Sequence, residues 1–548
     1  MKKEFNLLHE PWIRVMSEGV ELKETSVLEL FKNAHEYSCL AGEIPAQDMA
    51  IMRVLLAILT TVVYRCDENG DENPVEDEGD VLRRWMAIKK AGRFPADVIE
   101  TYLKKYEDRF WLFHPETPFW QSYTGANGTE YNVSKLNGCI LESGNKPRLF
   151  MYTDGVGKSQ MSYAEAARWL VYTNAYDDVS VKKSKAFNQS GRKDNGSPGT
   201  GWLGKLGLIA VNGKNLFDTL MLNLVLLDRS GGLFPDPKPI WEVPVRTTER
   251  NLIALPDNLP ELYTIQSRLI LLDRDEEKGV VTGYHSVSGD FFEAENATIE
   301  PMTIWRMDDK KKVSPKLHSP EAKMWQEFST CFVNNSDVTP GIVQWLGLLT
   351  KNRLIDKKQL ITFQSAGSVY DSKRQSTTDF LSDTLSVNAG FVEDMDSAWF
   401  AVINTEIEKC LSCADVIWRL SNDLIDAEGG NSSRSKKAKF DKEAFFFAID
   451  EPFRQWIANI SPSESDVDEE VNAWRSEIKR IAREQANRMV KGASLRALVG
   501  KQIDRDEGTG NKKKHVCYHM SSPEAEKKFY IQLSKIYPKN KEEKTENV

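Results

Sequence analysis

Gly155-Val156-Gly157-Lys158-Ser159 has the residue types of a phosphate-binding loop. Its glycines would let backbone amides close on an anion, its lysine would neutralise the charge, and its hydroxyl could hold magnesium. Pro147-Arg148-Leu149-Phe150-Met151 before it reads as a strand, and Ser162 with Glu165 after it forms a capping-box pattern that starts a helix. Farther on, Leu269-Ile270-Leu271-Leu272-Asp273 resembles an apolar strand ending in a magnesium-binding aspartate. The pattern breaks where the loop needs a glycine five residues before its Gly-Lys pair, because that residue is Tyr152. Asp154 would also put a carboxylate among the phosphates. A nucleotide hydrolase using Lys158 and Asp273 is therefore the alternative reading, and a pliable glycine loop with one exposed lysine is the plain one.

Metal chemistry has two candidates, Cys410-x-x-Cys413 and His515-x-Cys517-x-His519. Zinc prefers four ligands presented from turns, whereas the cysteine pair lies on a predicted helix whose apolar stripe passes through Leu411 and Ala414. Buried thiols are expected there, and no metal or cofactor is assigned. No G-x-S-x-G elbow or H-E-x-x-H pair occurs, and the seven histidines are dispersed. No catalytic set can be named, so a non-enzymatic role is expected.

Basic clusters carry a different chemistry. Lys182, Lys183, Lys185, Arg192 and Lys193 fall in one loop region, with few acids after Asp178. Such cations neutralise phosphates and release counterions, giving affinity without sequence preference. Lys373-Arg374-Gln375-Ser376 lies in the polar stretch from Asp371 to Thr378, between Ile361-Thr362-Phe363 and Phe380-Leu381. Two apolar flanks around a polar tip predict a projecting hairpin or loop that could reach phosphates and base edges.

The elements that must hold these residues come in two kinds. At 548 residues the chain is too long for one core. With 41% hydrophobic and 28% charged residues it reads as soluble and globular. Phe5 to Val15 is apolar and β-tolerant, Pro45 opens a helix with Met49, Met52, Leu55, Leu56, Leu59 and Val63 at helical spacing, and 185–213 reads as a long loop. Asn215 to Leu227 is helical in pattern, whereas Arg268 to Leu272, Glu300 to Trp305 and Gln359 to Phe363 look like strands. The last third holds four amphipathic stripes: Trp399 to Trp418, Phe445 to Ile460, Val471 to Met489 and Phe529 to Ile536. The expected fold is α+β, with a large mixed N-terminal domain (1–390) followed by a C-terminal four-helix bundle (391–548) whose tail after Pro538 is disordered. The longest apolar run, Met49 to Val63, is interrupted by Arg53 and reads as too short for a bilayer, and the N-terminus lacks a signal-peptide core. No membrane partner is expected, and scattered cysteines fit reduced thiols in the cytoplasm. The net charge of −9 argues mildly against nucleic acid, although a local basic surface suffices for binding.

Three segments, in order, resemble the CasA-type large subunit of the type I-E CRISPR Cascade surveillance complex. Asn6-Leu7-Leu8-His9-Glu10-Pro11-Trp12-Ile13-Arg14-Val15 looks like the family's opening, and His114-Pro115-Glu116-Thr117-Pro118-Phe119-Trp120-Gln121 like a second family segment. Gly199-Thr200-Gly201-Trp202-Leu203-Gly204 with Asn215 to Leu224 is similar to a third. The resemblance implies a non-catalytic subunit that tests duplex DNA for a protospacer-adjacent motif (PAM), while crRNA pairing reads the rest of the target; a structural scaffold subunit without direct DNA contact is the further alternative. Implied partners are crRNA, double-stranded target DNA, the backbone and small subunits, and a helicase-nuclease recruited after target capture. By position, Gln375 is the implied wedge beside the motif, with Arg374, Ser376 and Lys373 around it. Phe150, Met151, Tyr152 and Lys158 are the implied contacts to the crRNA handle. The family's glycine-rich PAM loop corresponds to Asp177-Asp178-Val179-Ser180-Val181, which lacks glycine, and its PAM lysine region to Tyr284–Gly289, which lacks lysine. Ser180, Lys182 and Lys183 therefore become the candidate PAM residues.

Overall fold

The computed structural model describes the chain except residues 1, 68, 143–154, 180–198, 246–255, 257, 291, 293–296, 336, 433–434, 508–513 and 539–548. Strands and helices are mixed through the first part and helices dominate the last. The chain divides into two compact units, Met1–Leu385 and Ser386–Val548.

The N-terminal unit is built on helix α1 (Pro45–Arg65), where Pro45 takes the first-turn position that needs no amide donor. Every residue from Met49 to Tyr64 is buried, each large aliphatic one contributing about 1.5–3 kcal/mol. The sequence reading took this run as too short for a bilayer; the helix is in fact long and apolar enough to cross one, and it lies buried instead. It packs against helix α2 (Tyr163–Tyr176) and the short helix Leu259–Tyr263. Arg53, the one charge in its middle, has a matched partner. Its Nη1 and Nη2 donate to Glu300 Oε1 and Oε2 at 2.8 and 2.7 Å. Trp202 Nε1 and the Met302 amide also donate to that carboxylate, each at 3.0 Å. The amide at 302 is thus turned toward a side chain, and the strand expected over 300–305 shrinks to Trp305–Met307.

In the first turn of α1, Asp48 accepts from the Gly42 amide at 2.8 Å. Burial, with Glu43 adding to it, raises its carboxyl to about 7 from an ordinary 3.8. An unfolded chain ionises this group near 3.8, so the folded state carries no penalty below about pH 4. The penalty builds between 4 and 7 and is complete above 7. Asp48→Asn is accordingly expected to stabilise the chain by about 1–3 kcal/mol at pH 8 and to have little effect at pH 4. Urea unfolding at the two pH values checks this.

Two of this unit's antiparallel sheets position the candidate site. Strands β1 (Arg268–Asp275) and β2 (Val280–Ser288) pair along their length, and β2 also pairs with Thr129–Asn132 and Met161–Ser162. The second sheet has the order β4 (Thr377–Asn388), β3 (Leu360–Tyr370), then Ile209–Asn212. That last strand falls inside the region read as loop over 185–213. Ala210 and Val211 there pair with Gln364 and Phe363, a partner roughly 150 residues away that local composition does not reveal.

The C-terminal unit is helical. Its long helices are α3 (Ala398–Ala427), α4 (Lys437–Asn459), α5 (Val467–Lys491) and α6 (Ser522–Ile536), and α3 packs against each of the other three. Trp456 and Trp474 stack at 5.7 Å across α4 and α5. The stripe on α3 runs through Cys410, Cys413, Ala414 and Ile417, whereas Leu411 and Trp418, expected within it, are 40% and 44% exposed. Burial raises both thiols, Cys413 to about 12. An antiparallel hairpin, Lys501–Glu507 with Lys514–Met520, precedes α6. Val516, Tyr518 and Met520 alternate with His515, Cys517 and His519 along its second strand, a period-two signal that the sequence reading passed over.

Candidate nucleic-acid interface

The residues 373–376 form the turn between β3 and β4, and one side chain shapes that turn. Asp371 Oδ1 accepts from the backbone amides of Lys373 and Gln375 at 3.0 and 2.9 Å, while Oδ2 accepts from the Ser376 hydroxyl at 2.8 Å. The Asp371 amide donates to the Ser376 carbonyl at 3.0 Å and the Arg374 amide to the Asp371 carbonyl at 2.8 Å. Aspartate at the first position of a turn does this because its short carboxylate mimics a backbone carbonyl. The closure holds Arg374 in the left-handed region, at φ 54°, a conformation costing a non-glycine residue about 1–2 kcal/mol. Lys373 and Gln375 are exposed; Arg374 and Ser376 are half-exposed.

The turn does not stand alone. The Val179 amide donates to the Arg374 carbonyl at 3.0 Å, so the tip is joined to the residue that leads into 180–198. Behind it, Tyr370 Oη donates to the Tyr176 carbonyl at 2.6 Å, and the Tyr172 and Ser368 hydroxyls lie 3.0 Å apart. The hairpin is therefore seated on the C-terminal end of α2. Two carboxylates here that would repel phosphate are both paired: Asp178 with Lys135 at 2.7 Å and Asp177 with Arg268 at 2.7 Å. Tyr284 stacks on Tyr131 at 5.1 Å on the neighbouring strand β2.

The structure thus brings three sequence-predicted regions together: the tip 373–376, the segment Asp177–Val179 and β2 around Tyr284–Gly289. Ser180, Lys182 and Lys183 lie outside the described residues. So do Phe150, Met151 and Tyr152 of the expected crRNA contact. Lys158 is described, and its ammonium lies 2.9 Å from Glu142 Oε2. Sequence reasoning named Asp371 and Val179 without giving either a role, and did not single out Tyr370 or Tyr172. Asp371 had a legible signal as the acid that opens a polar turn, whereas the other three act through contacts with distant segments.

The geometry around Lys158 and Asp273 departs from that of a phosphate-binding loop. Lys158 and Ser159 end a one-turn helix, Val156–Ser159, and the long helix α2 starts only at Tyr163, capped by the Ser162 hydroxyl. A phosphate loop places its Gly-Lys-Ser at the start of the long helix, where unpaired amides face the anion. Asp273 lies on a strand whose neighbour is antiparallel, with His285 Nε2 3.3 Å away. Burial raises its carboxyl, an effect that His285 partly offsets.

Asp371→Ala removes two acceptor oxygens, and with them three hydrogen bonds, from the turn. It is expected to lower the melting temperature of the free chain by only a few degrees while impairing every property that depends on Gln375. Comparing it with Gln375→Ala in one binding assay checks this.

Residues 6–485 match the family model for the CRISPR-associated protein Cse1. A CRISPR-associated protein CasA/Cse1 of Thermus thermophilus is 32% identical over 335 residues, and the match spans 60% of each chain, so it leaves two fifths of that relative's length uncovered. The crystal structure of Thermobifida fusca Cse1 superposes with a TM-score of 0.79 at 25% identity, over 98% of both chains. A chain of a CRISPR RNA-guided surveillance complex shares the fold, with a TM-score of 0.62 at 15% identity over 89% of this chain and 100% of that one. The chain belongs to the Cse1 family and is a CasA-type large subunit.

Proposed function

We propose that this chain is the DNA-recognition subunit of a crRNA-guided, type I-E Cascade complex. It reads the PAM of double-stranded target DNA, starts strand separation beside it and helps recruit the helicase-nuclease, breaking no covalent bond itself. The N-terminal part, 1–390, carries PAM reading and contacts to the crRNA handle and backbone subunits. The chain also contacts the small subunits.

The observation that carries this reading is the hydrogen bond from Val179 to the Arg374 carbonyl. It joins an exposed, pre-shaped polar turn to the residue before a lysine-bearing segment. A wedge needs both: cations to hold phosphates in place, and a rigid tip to enter the stack, where opening a step costs about 1–2 kcal/mol. Lys182 and Lys183 supply phosphate contacts, with Ser180 beside them. Contact with the crRNA handle is assigned to Phe150, Met151 and Tyr152, with Lys158 as the nearby cation.

Reconstitution with and without this chain tests the reading. The complete complex is expected to bind a PAM-containing duplex at least roughly tenfold more tightly than a duplex lacking the motif. The complex without this chain is expected to lose that discrimination while still binding single-stranded target. Retained discrimination without the chain would overturn the proposal. Lys182→Ala and Lys183→Ala are each expected to reduce the slope of log K against log salt by about 0.9 for each phosphate no longer neutralised, measured by titration between low and physiological salt.

A further inference from the structure

Arg268 opens β1, and its side chain has no exposed surface. A guanidinium so deeply buried must have its donors answered, and the answers come from both sides of residues 180–198. Nε donates to Asp177 Oδ2 at 2.7 Å, and Nη2 donates to the Asp178 carbonyl at 2.7 Å and the Gly199 carbonyl at 2.9 Å. Nη1 donates to the Ser267 carbonyl at 2.8 Å. The Gly201 amide closes the same base by donating to the Asp177 carbonyl at 2.9 Å.

The guanidinium is itself fixed from behind. The Arg268 amide donates to Asn174 Oδ1 of α2 at 3.0 Å, and Arg268 pairs with Ser288 across β2. At Gly289 a Cβ would approach the Gln266 carbonyl to 2.2 Å and the Arg268 amide to 2.8 Å, so only glycine allows the chain to press this closely. One residue beyond the clamped pair, Val179 holds the Arg374 carbonyl.

We infer that Arg268 is the positioning residue of the hairpin tip: by fixing Asp177 and Asp178 it sets where Val179, and through it Arg374 and Gln375, stand. It touches no nucleic acid, because it is buried. Lysine cannot replace it, since a point charge on a flexible stem cannot hold a carboxylate and three separate carbonyls as a planar fork does. This rests on the wedge reading above and adds to it the residue that holds the wedge at its height.

The test uses the reconstituted complex and two duplexes, one closed and one with mismatched base pairs beside the motif. Arg268→Lys is expected to lose roughly tenfold in affinity for the closed duplex, as for the removal of one charged hydrogen bond, and less than about twofold for the opened one. Combined with Gln375→Ala it is expected to add no further loss. Asp177→Asn, which keeps an acceptor and spares the carbonyl bonds, is the gentler second variant; it should show the same selective loss at smaller size, and it decides the matter if Arg268→Lys does not fold. Equal losses on both duplexes, or full additivity with Gln375→Ala, would overturn the inference. Gln375→Ala alone separates the two ideas. If it distinguishes the duplexes and the clamp variants do not, only the role of Arg268 falls; if it treats them alike, the wedge falls and the role of Arg268 with it.

Discussion

Gln375→Ala in the assembled complex is expected to weaken binding to a closed PAM-containing duplex by about 5- to 30-fold, equivalent to about 1–2 kcal/mol, and to leave binding to a pre-opened duplex within about twofold. Rigidity of the turn produces this effect. The turn is closed by five hydrogen bonds to and from Asp371, so the exposed Gln375 side chain projects from a backbone that need not be ordered at the moment of contact. Parting one stacked step of DNA costs about 1.4 kcal/mol on average, and a side chain that fills the gap recovers part of that cost. On a pre-opened duplex there is nothing left to recover. Arg374→Ala is expected to lose affinity with a marked dependence on salt, because its guanidinium offers charge to phosphate while its carbonyl stays with Val179. Electrophoretic titration of both duplexes at two salt concentrations measures all three numbers. Equal loss on the two duplexes would rule out a wedge.

The largest stability effect is expected at the centre of the N-terminal unit. Arg53→Met leaves the Glu300 carboxylate buried with only the Trp202 and Met302 donors named above, and Glu300→Gln leaves the Arg53 guanidinium without a countercharge. Removing one partner of a buried pair costs about 3–5 kcal/mol, against a total of about 5–15 kcal/mol for a whole domain. Either variant is expected to lower the melting temperature by many degrees and to reduce the yield of folded chain. The double variant should cost less than the sum of the singles, since the second change removes a charge already stranded by the first. Calorimetry of the four chains completes the cycle, and single-variant losses under about 1 kcal/mol would contradict this account.

Arg53 also shows where sequence reading ends. Its presence in an apolar run was visible, and so was the helix around it, because proline at the first turn and helical spacing are local signals. Its partner was not, lying 247 residues away in a segment read as strand. The helices of the last third were legible for the same local reason, although the face of α3 was misjudged by the width of one helical step at Leu411 and Trp418. At the candidate interface, the polar turn between two apolar flanks was readable from composition alone. What seats it was not readable, since the contacts of Tyr172, Tyr176, Val179 and Arg268 all join segments that are neighbours only after folding. The Gly-Lys-Ser lure shows the converse case: the residue types were right, and the structure places them on a separate turn of helix ahead of α2.

The most direct measurement places a photo-reactive benzoylphenylalanine at position 375 and irradiates the reconstituted complex on duplex target DNA carrying the motif. The account predicts a crosslink to the base pair immediately beside the motif, absent when the motif is scrambled. No crosslink to DNA at that position, or a crosslink only to another protein subunit, would contradict it.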